Sequence, residues 1–160
     1  MKFIPEDSQI ILREVPDEIS LSINISNCPH DCKGCHSPYL KDDIGEELTL
    51  DAVERLIERN FGISCICFLG GDRFHKQLYD LICRLRMKYD LKFALYSGDD
   101  EADHTMDDVL DYYKIGHYDS ELGPLDSKTT NQRMYEIVEG EDGNAEYKDI
   151  TFKFWNKTLW

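Results

Sequence analysis

Apolar and polar residues follow one another along this chain with two different periods. In residues 20–26 they alternate strictly, which predicts a β-strand with one buried face. After Thr49, and again in residues 74–89, apolar residues recur every three to four positions, which predicts two amphipathic helices. Thr49 is a suitable N-cap for the first helix, and the Asn-Phe-Gly sequence at residues 60–62 is a suitable end.

Further strands are predicted between and after these helices. Residues 63–69 are almost continuously apolar and end at Gly70-Gly71, and residues 91–96 end at Ser97-Gly98. The remaining predicted elements are an edge strand in residues 9–15, a short helix capped by Thr105 in residues 105–112, a short strand in residues 113–115, and a terminal hairpin or edge addition formed by residues 135–138 and 150–155. Strands that alternate with helices are typical of βαβ units and a parallel sheet. A closed eight-stranded barrel takes roughly 250 residues, so we expect one α/β domain over residues 1–160. We expect it to be an open, partial β/α barrel with a mostly parallel sheet and a C-terminal β extension.

Charge and hydropathy narrow the choice of partners. The chain has 32 acidic and 18 basic residues and a net charge of −14, which disfavours binding to nucleic acid or to anionic lipid. No apolar run approaches the ~20 residues needed to span a membrane, and the first residues lack the apolar core of a signal peptide. We therefore expect a cytoplasmic protein with reduced cysteines.

Six cysteines fall into two groups of three. Cys65, Cys67 and Cys83 lie in apolar segments and are predicted to be core residues. The other three, Cys28, Cys32 and Cys35, lie in residues 27–36, the cysteine loop, which reads Asn-Cys-Pro-His-Asp-Cys-Lys-Gly-Cys-His.

The spacing in the cysteine loop predicts a metal centre. Three thiolates so close together can hold three irons of a [4Fe–4S] cluster and leave the fourth iron without a protein ligand. A zinc site completed by His30 or His36 is the main alternative, although zinc sites usually use two separated pairs of ligands. Three unrelated cysteines are a weaker alternative, because Pro29 and Gly34 suit a tightly wrapped loop.

Three informative loops follow three consecutive strands of the predicted parallel sheet. They are the cysteine loop, the Gly70-Gly71-Asp72 segment and the Ser97-Gly98 turn. Ligands of parallel sheets bind at the carboxyl ends of the strands, so we expect these loops to form one site. Glycines allow the backbone to approach a ligand closely, and a carboxylate suits an ammonium group.

The cysteine spacing, with Gly70-Gly71-Asp72 one strand and one helix later, resembles the radical S-adenosylmethionine superfamily. Within it the chain is most similar to the activating proteins of anaerobic (class III) ribonucleotide reductases. The likeness includes the Thr-Asn-Gln-Arg sequence at residues 130–133 and covers most of the chain, from about Leu21 to Arg133. The chain departs from the pattern at His36, where these activators often have an aromatic residue, and at Arg73, where a proline is usual.

This resemblance implies a cofactor, an activity and partners. Cys28, Cys32 and Cys35 would hold a [4Fe–4S] cluster, whose open iron would chelate S-adenosylmethionine. Reductive cleavage would give a 5′-deoxyadenosyl radical that generates a glycyl radical on anaerobic ribonucleoside-triphosphate reductase, with a flavodoxin or ferredoxin as electron donor. The implied cofactor-binding residues are Gly70, Gly71, Asp72 and Ser97, and the implied partner-facing residues are Asn131, Gln132 and Arg133. Lys114 lies on a strand from which it could point inward, and no role follows for it or for His36. The alternatives are activation of another glycyl-radical enzyme of formate-lyase type, or a non-catalytic iron–sulfur or zinc module.

Overall fold

Nine strands, two α-helices and short 3₁₀ turns form the secondary structure of the part of the chain that the computed structural model describes, residues 1–155. In chain order the strands are β1 (Lys2–Phe3), β2 (Gln9–Ile11), β3 (Ser20–Asn24), β4 (Glu46–Glu47), β5 (Cys65–Leu69), β6 (Lys92–Tyr96), β7 (Tyr112–Ile115), β8 (Arg133–Glu139) and β9 (Ala145–Asp149). The helices are α1 (Leu50–Arg59) and α2 (His75–Arg86). Thr49 caps α1 as predicted, because its Oγ1 accepts a hydrogen bond of 3.2 Å from the Ala52 amide.

The central sheet has seven strands in the order β2-β3-β5-β6-β7-β8-β9. Its four middle strands, β3, β5, β6 and β7, are parallel to one another, and β2, β8 and β9 add antiparallel strands at the two sides. Within residues 1–155 the two edge strands do not pair with each other, so the sheet is open. A mixed α/β fold with a mostly parallel centre is therefore confirmed, whereas the curvature of a partial barrel stays a prediction.

Both faces of the sheet are covered, but by different parts of the chain. On one face, Ile66 and Phe68 of β5 belong to the main core with the two helices. On the other face, Cys65 and Cys67 pack in a second cluster with Val15 and with residues that follow β7, among them Leu125, Met134 and Ile150. The core positions predicted for Cys65 and Cys67 are thus confirmed, while Cys83 on α2 is only half-buried against the core.

Double coverage corrects the prediction for the first parallel strand. Alternation of polar and apolar residues predicts that β3 has one exposed face, but Ser20 and Ser22 are buried as fully as Leu21 and Ile23. Their small side chains lie on the second face, where the Ser22 hydroxyl donates a 3.0 Å hydrogen bond to the Gln9 carbonyl of β2. Tertiary packing therefore overrides the amphipathic pattern.

Two other predicted elements differ in the structure. The segment after Asp103 forms a 3₁₀ turn over His104–Met106, and Asp103 is its cap, since its Oδ1 accepts from the Thr105 amide at 3.0 Å. The terminal hairpin is present, but its second strand is β9, and Thr151–Trp155 form a 3₁₀ helix instead of a strand. The return strand begins at Ala145 because a tight turn closes between the Gly140 amide and the Asn144 carbonyl at 2.8 Å. The apolar residues beyond Asp149 then pack on the second face of the sheet through Ile150 and Phe154.

The parallel strands place all three informative loops at one edge, the carboxyl edge. Asn24, Leu69, Tyr96 and Lys114 are aligned neighbours at the ends of β3, β5, β6 and β7.

Among residues 1–155, no helix has the length and apolar character that crossing a membrane requires.

The opposite edge of the sheet is held by a buried carboxylate, Glu18. Its Oε1 lies 2.7 Å from Lys92 Nζ and accepts a 2.9 Å hydrogen bond from the Tyr112 hydroxyl, and its Oε2 accepts one of 2.5 Å from the Ser64 hydroxyl. Burial alone would raise the pKa of Glu18, but the hydrogen bonds from Lys92, Ser64 and Tyr112 outweigh it and lower the pKa below its ordinary value. These four residues form the Glu18 network.

We expect Glu18→Gln to lower the free energy of unfolding by about 1–2 kcal/mol, because it weakens the hydrogen bonds that the buried carboxylate accepts from Ser64 and Tyr112 and removes its charge from beside the half-exposed Lys92. Since the folded pKa of Glu18 is depressed, its contribution is complete above the unfolded pKa and is lost as the pH falls through the folded value. Urea unfolding at pH 7 and at successively lower pH would measure both effects. Glu58→Gln, at an exposed position of α1, is the matched control. Equal unfolding midpoints for the two variants would contradict the role given to the Glu18 network.

Candidate metal centre

A cavity of ≈ 590 Å³ opens at the carboxyl edge of the sheet. Cys28, Cys32 and Cys35 line it from the cysteine loop, and it is also lined by residues from the ends of β5, β6 and β7, namely Gly70, Asp72, Ser97 and Lys114. We call it the cysteine cavity. The prediction that the three loops meet in one place is confirmed by this arrangement.

Backbone hydrogen bonds shape the cysteine loop. The Cys28 amide donates to the Leu40 carbonyl at 2.9 Å, and the Cys35 amide donates to the Cys32 carbonyl at 3.1 Å, which closes a tight turn. Asn27 starts the loop in the left-handed region with φ 64°, a conformation that asparagine tolerates better than most residues. Through these contacts the three cysteines come to line one cavity while each remains only partly buried.

The thiols of the cysteine loop repel one another when they ionise. Burial raises the pKa of Cys28, and negative charge on Asp72, Cys32 and Cys35 raises it further, while a hydrogen bond from the His30 amide acts in the opposite direction. A positively charged metal group in this cavity would stabilise the thiolate form of Cys28.

The donor set suits a cluster better than a single ion. Around one zinc ion, thiolates with a Zn–S distance of about 2.3 Å would lie roughly 3.8 Å apart. Within residues 1–155, the cysteine sulfurs are not all within 4.8 Å of one another, and the group compact enough for one ion is His30, Asp72 and Asp99. An iron–sulfur cube takes its thiolates on different irons, so it does not require the three sulfurs to lie this close together.

The glycines of the second loop have different positions. Gly70 lines the cysteine cavity with φ +85°, and a Cβ at this residue would lie 3.1 Å from the Ile25 carbonyl oxygen. Gly71 does not line the cavity, and a Cβ there would meet Ile25 Cδ1 at 3.1 Å and Leu78 Cδ2 at 3.6 Å. The close approach of backbone to the cavity is therefore a property of Gly70.

Asp72 is the buried anion of the cysteine cavity. Its side chain is 2% exposed, and its Oδ2 accepts hydrogen bonds from His30 Nε2 at 2.8 Å and from the Gly98 amide at 3.1 Å. Burial would raise the pKa of Asp72, but hydrogen bonds with His75, Ser97 and Gly98, together with the charge of His30, lower it below the ordinary value. Asp72 is therefore held as a carboxylate.

Lys114 is the buried cation of the same cavity, and sequence reasoning assigned it no role. It is 6% exposed, and its ammonium donates to the carbonyls of Ser97 at 3.0 Å and Gly116 at 2.5 Å. In the described part of the chain, no carboxylate lies within the 4.0 Å of an ion pair with it. Burial lowers the pKa of Lys114 to about 8. Its position at the end of a parallel strand was the signal available from the sequence.

Of the other predicted site residues, Ser97 and Gln132 line the cavity, and Asn131 and Arg133 contact the backbone beside it. Ser97 is buried in the cavity wall, where its Oγ accepts a 2.9 Å hydrogen bond from the Asp99 amide. Gln132 is also buried and lines the cavity. Asn131 donates to the His117 carbonyl at 2.9 Å, and Arg133 donates to the carbonyls of Thr130 and Gln132 at 2.9 and 2.7 Å. These contacts brace the chain before β8, and a partner-facing role for the three residues stays a prediction.

Comparison with known proteins gives one match. A family model described as "4Fe-4S single cluster domain" matches residues 19–134, which is more than half of the chain and includes the loops at the ends of β3, β5 and β6. No curated protein and no solved structure matches the chain.

Proposed function

Because this chain belongs to the family of 4Fe-4S single cluster domains, we propose that it is an activase that cleaves S-adenosylmethionine and generates a glycyl radical on an anaerobic ribonucleoside-triphosphate reductase. The observation that carries the proposal is the cysteine cavity, which combines three thiols with one buried anion and one buried cation. When bound, a [4Fe–4S] cluster with three protein thiolates has one iron open for S-adenosylmethionine and supplies the electron that breaks its sulfonium bond.

Charges in the cysteine cavity match the amino-acid end of this substrate. An α-amino acid group carries an ammonium and a carboxylate. The backbone at Gly70 approaches the cavity closely, beside the negative charge of Asp72, and suits the ammonium. The ammonium of Lys114 has no carboxylate partner within residues 1–155 and would bind the carboxylate.

The remaining wall of the cavity suits the nucleoside. Tyr96, Tyr118 and Leu125 line the cavity together with Ser97. Aromatic and apolar side chains with a few polar groups are usual in sites for ligands of this size, and the volume of ≈ 590 Å³ lies within the range of about 300–1,000 Å³ found for them. The chain's own residues thus position the substrate and keep water from its reactive end.

A reductase as partner, and a flavodoxin or ferredoxin as donor, follow from the resemblance of the motifs. The open sheet supports the idea of a protein substrate, because a peptide loop can reach the cysteine cavity from the side that a closed barrel would obstruct. An electron carrier is less well supported. A fully ligated cube takes four cysteines, and Cys65 and Cys67 are completely buried, with the pKa of Cys65 raised to about 12 by burial.

Anaerobic reconstitution with iron and sulfide tests the proposal. We expect a brown protein that, once reduced, releases 5′-deoxyadenosine from S-adenosylmethionine. After mixing with an anaerobic ribonucleotide reductase, electron paramagnetic resonance should show a glycyl radical. A protein with a full cluster that never cleaves S-adenosylmethionine would contradict the activity. A radical that forms on a formate-lyase type enzyme, but not on the reductase, would contradict the partner.

A further inference from the structure

His30, in the middle of the cysteine loop, is fixed in a slot between two other loops. A Cβ added to Gly98 would lie 2.4 Å from His30 Cδ2 and 2.8 Å from His30 Nε2. The imidazole therefore lies directly on the Gly98 backbone, in space that any larger residue would fill. The same Nε2 is 2.8 Å from Asp72 Oδ2 and 3.5 Å from Asp99 Oδ1.

Asp72, the carboxylate in this slot, faces a second histidine, His75, with its other oxygen. His75 Nδ1 lies 2.6 Å from Asp103 Oδ2, and its Nε2 faces Asp72 Oδ1 at 3.7 Å. The neighbouring carboxylates of Asp72 and Asp103 raise the pKa of His75 despite its burial. A protonated His75 directs one N–H toward each carboxylate, so Asp72 keeps its charge and its orientation toward His30.

The position of His30 within the cysteine loop links this slot to the predicted ligands. His30 lies two residues after Cys28 and two residues before Cys32. Because its ring is fixed between Asp72 and the Gly98 backbone, the stretch of chain between these two cysteines is fixed with it.

We infer that His30 is a positioning residue that locks the cysteine loop, and with it Cys28 and Cys32, against the carboxyl edge of the sheet. Asp72 and Gly98 form the slot that receives it. The side chain of Asp72 then acts on the metal centre through His30, in addition to the charge it gives the cavity. This inference rests on the part of the proposed function that assigns the cluster to Cys28, Cys32 and Cys35.

Iron release tests the inference without S-adenosylmethionine. Reconstituted His30→Ala and Asp72→Asn proteins should lose iron to a strong chelator roughly tenfold faster than the parent protein, as expected for the loss of a charge-assisted hydrogen bond. The double variant should be no worse than the more affected single variant, because both changes remove one interaction. His30→Gln, whose amide can still donate to Asp72, should restore part of the loss.

Two further variants serve as a control and as a second test. Lys33→Ala removes an exposed side chain of the same loop that does not line the cysteine cavity and should leave the release rate near that of the parent protein. Gly98→Ala fills the slot and should reproduce His30→Ala even if Asp72→Asn fails to fold. Parent-like release in His30→Ala and Gly98→Ala, or equal effects of His30→Ala and Lys33→Ala, would overturn the inference. A parent protein that assembles no cluster would instead overturn the proposed function.

Discussion

Replacing Cys32 with alanine is expected to remove the iron–sulfur cluster and with it all activity. Two thiolates cannot hold a cube that already lacks a fourth protein ligand, and Cys28→Ala and Cys35→Ala should behave alike. Iron analysis of anaerobically reconstituted protein should fall from about four irons per chain to less than one. The visible absorbance of the cluster should disappear with the iron.

Cys83→Ala is the matched control for the three cysteine variants. Cys83 lies half-buried on α2 and does not line the cysteine cavity. Its loss should cost some stability but leave the iron content unchanged. A Cys83→Ala protein that loses its cluster, or a Cys32→Ala protein that keeps one, would show that the ligands have been assigned wrongly.

Lys114→Met should weaken binding of S-adenosylmethionine by about 30-fold or more while the cluster is retained. Methionine keeps the length of the side chain and removes the charge that would meet the substrate carboxylate, and truncating one partner of a buried, hydrogen-bonded charge pair costs about 2–5 kcal/mol. Equilibrium binding to the reconstituted protein measures the effect. In the parent protein the affinity should also fall as the pH rises through about 8, the pKa to which burial lowers Lys114, and Lys114→Met should lack this step.

Measuring the free energy of unfolding without substrate distinguishes a functional role of Lys114 from a structural one. Burial lowers the pKa of Lys114, so its charge opposes folding, and the protein should become more stable as the pH rises from about 8 toward the unfolded value. Lys114→Met should therefore be at least as stable as the parent protein in the absence of substrate. A variant that unfolds more easily and binds substrate normally would contradict this view of the cavity.

Periodicity and spacing predict the frame of the molecule because they report local geometry and burial. The strands that end at Gly70 and Ser97, the helix capped by Thr49 and the meeting of three loops at one edge all depend on the register of parallel strands. The predictions were wrong where segments distant in the sequence determine whether a residue is buried. The sequence pattern predicts that Ser20 faces solvent, but in the structure segments far along the chain cover it.

The finer features of the site depend on tertiary contacts that spacing does not encode. His30 and Asp72 are 42 residues apart, and their pairing requires the Gly98 backbone to lie beside the ring. In the sequence, Lys114 resembles any charged residue near the end of a strand. Only the structure shows that its ammonium is bound by backbone carbonyls and has no carboxylate partner within residues 1–155. Single residues of this kind become interpretable when the loops are placed around a shared cavity.

The Glu18 network and the cysteine cavity lie at opposite edges of the sheet. This separation affects which parts of the sequence can change without loss of the fold. Residues that stabilise the fold through Glu18, Lys92 and Tyr112 lie at the amino ends of the strands, and the residues around the cavity lie at their carboxyl ends. Loops on a rigid scaffold tolerate exchange far better than the elements that carry them. Substitutions at the rim of the cavity can therefore change what it binds while the opposite edge preserves the fold.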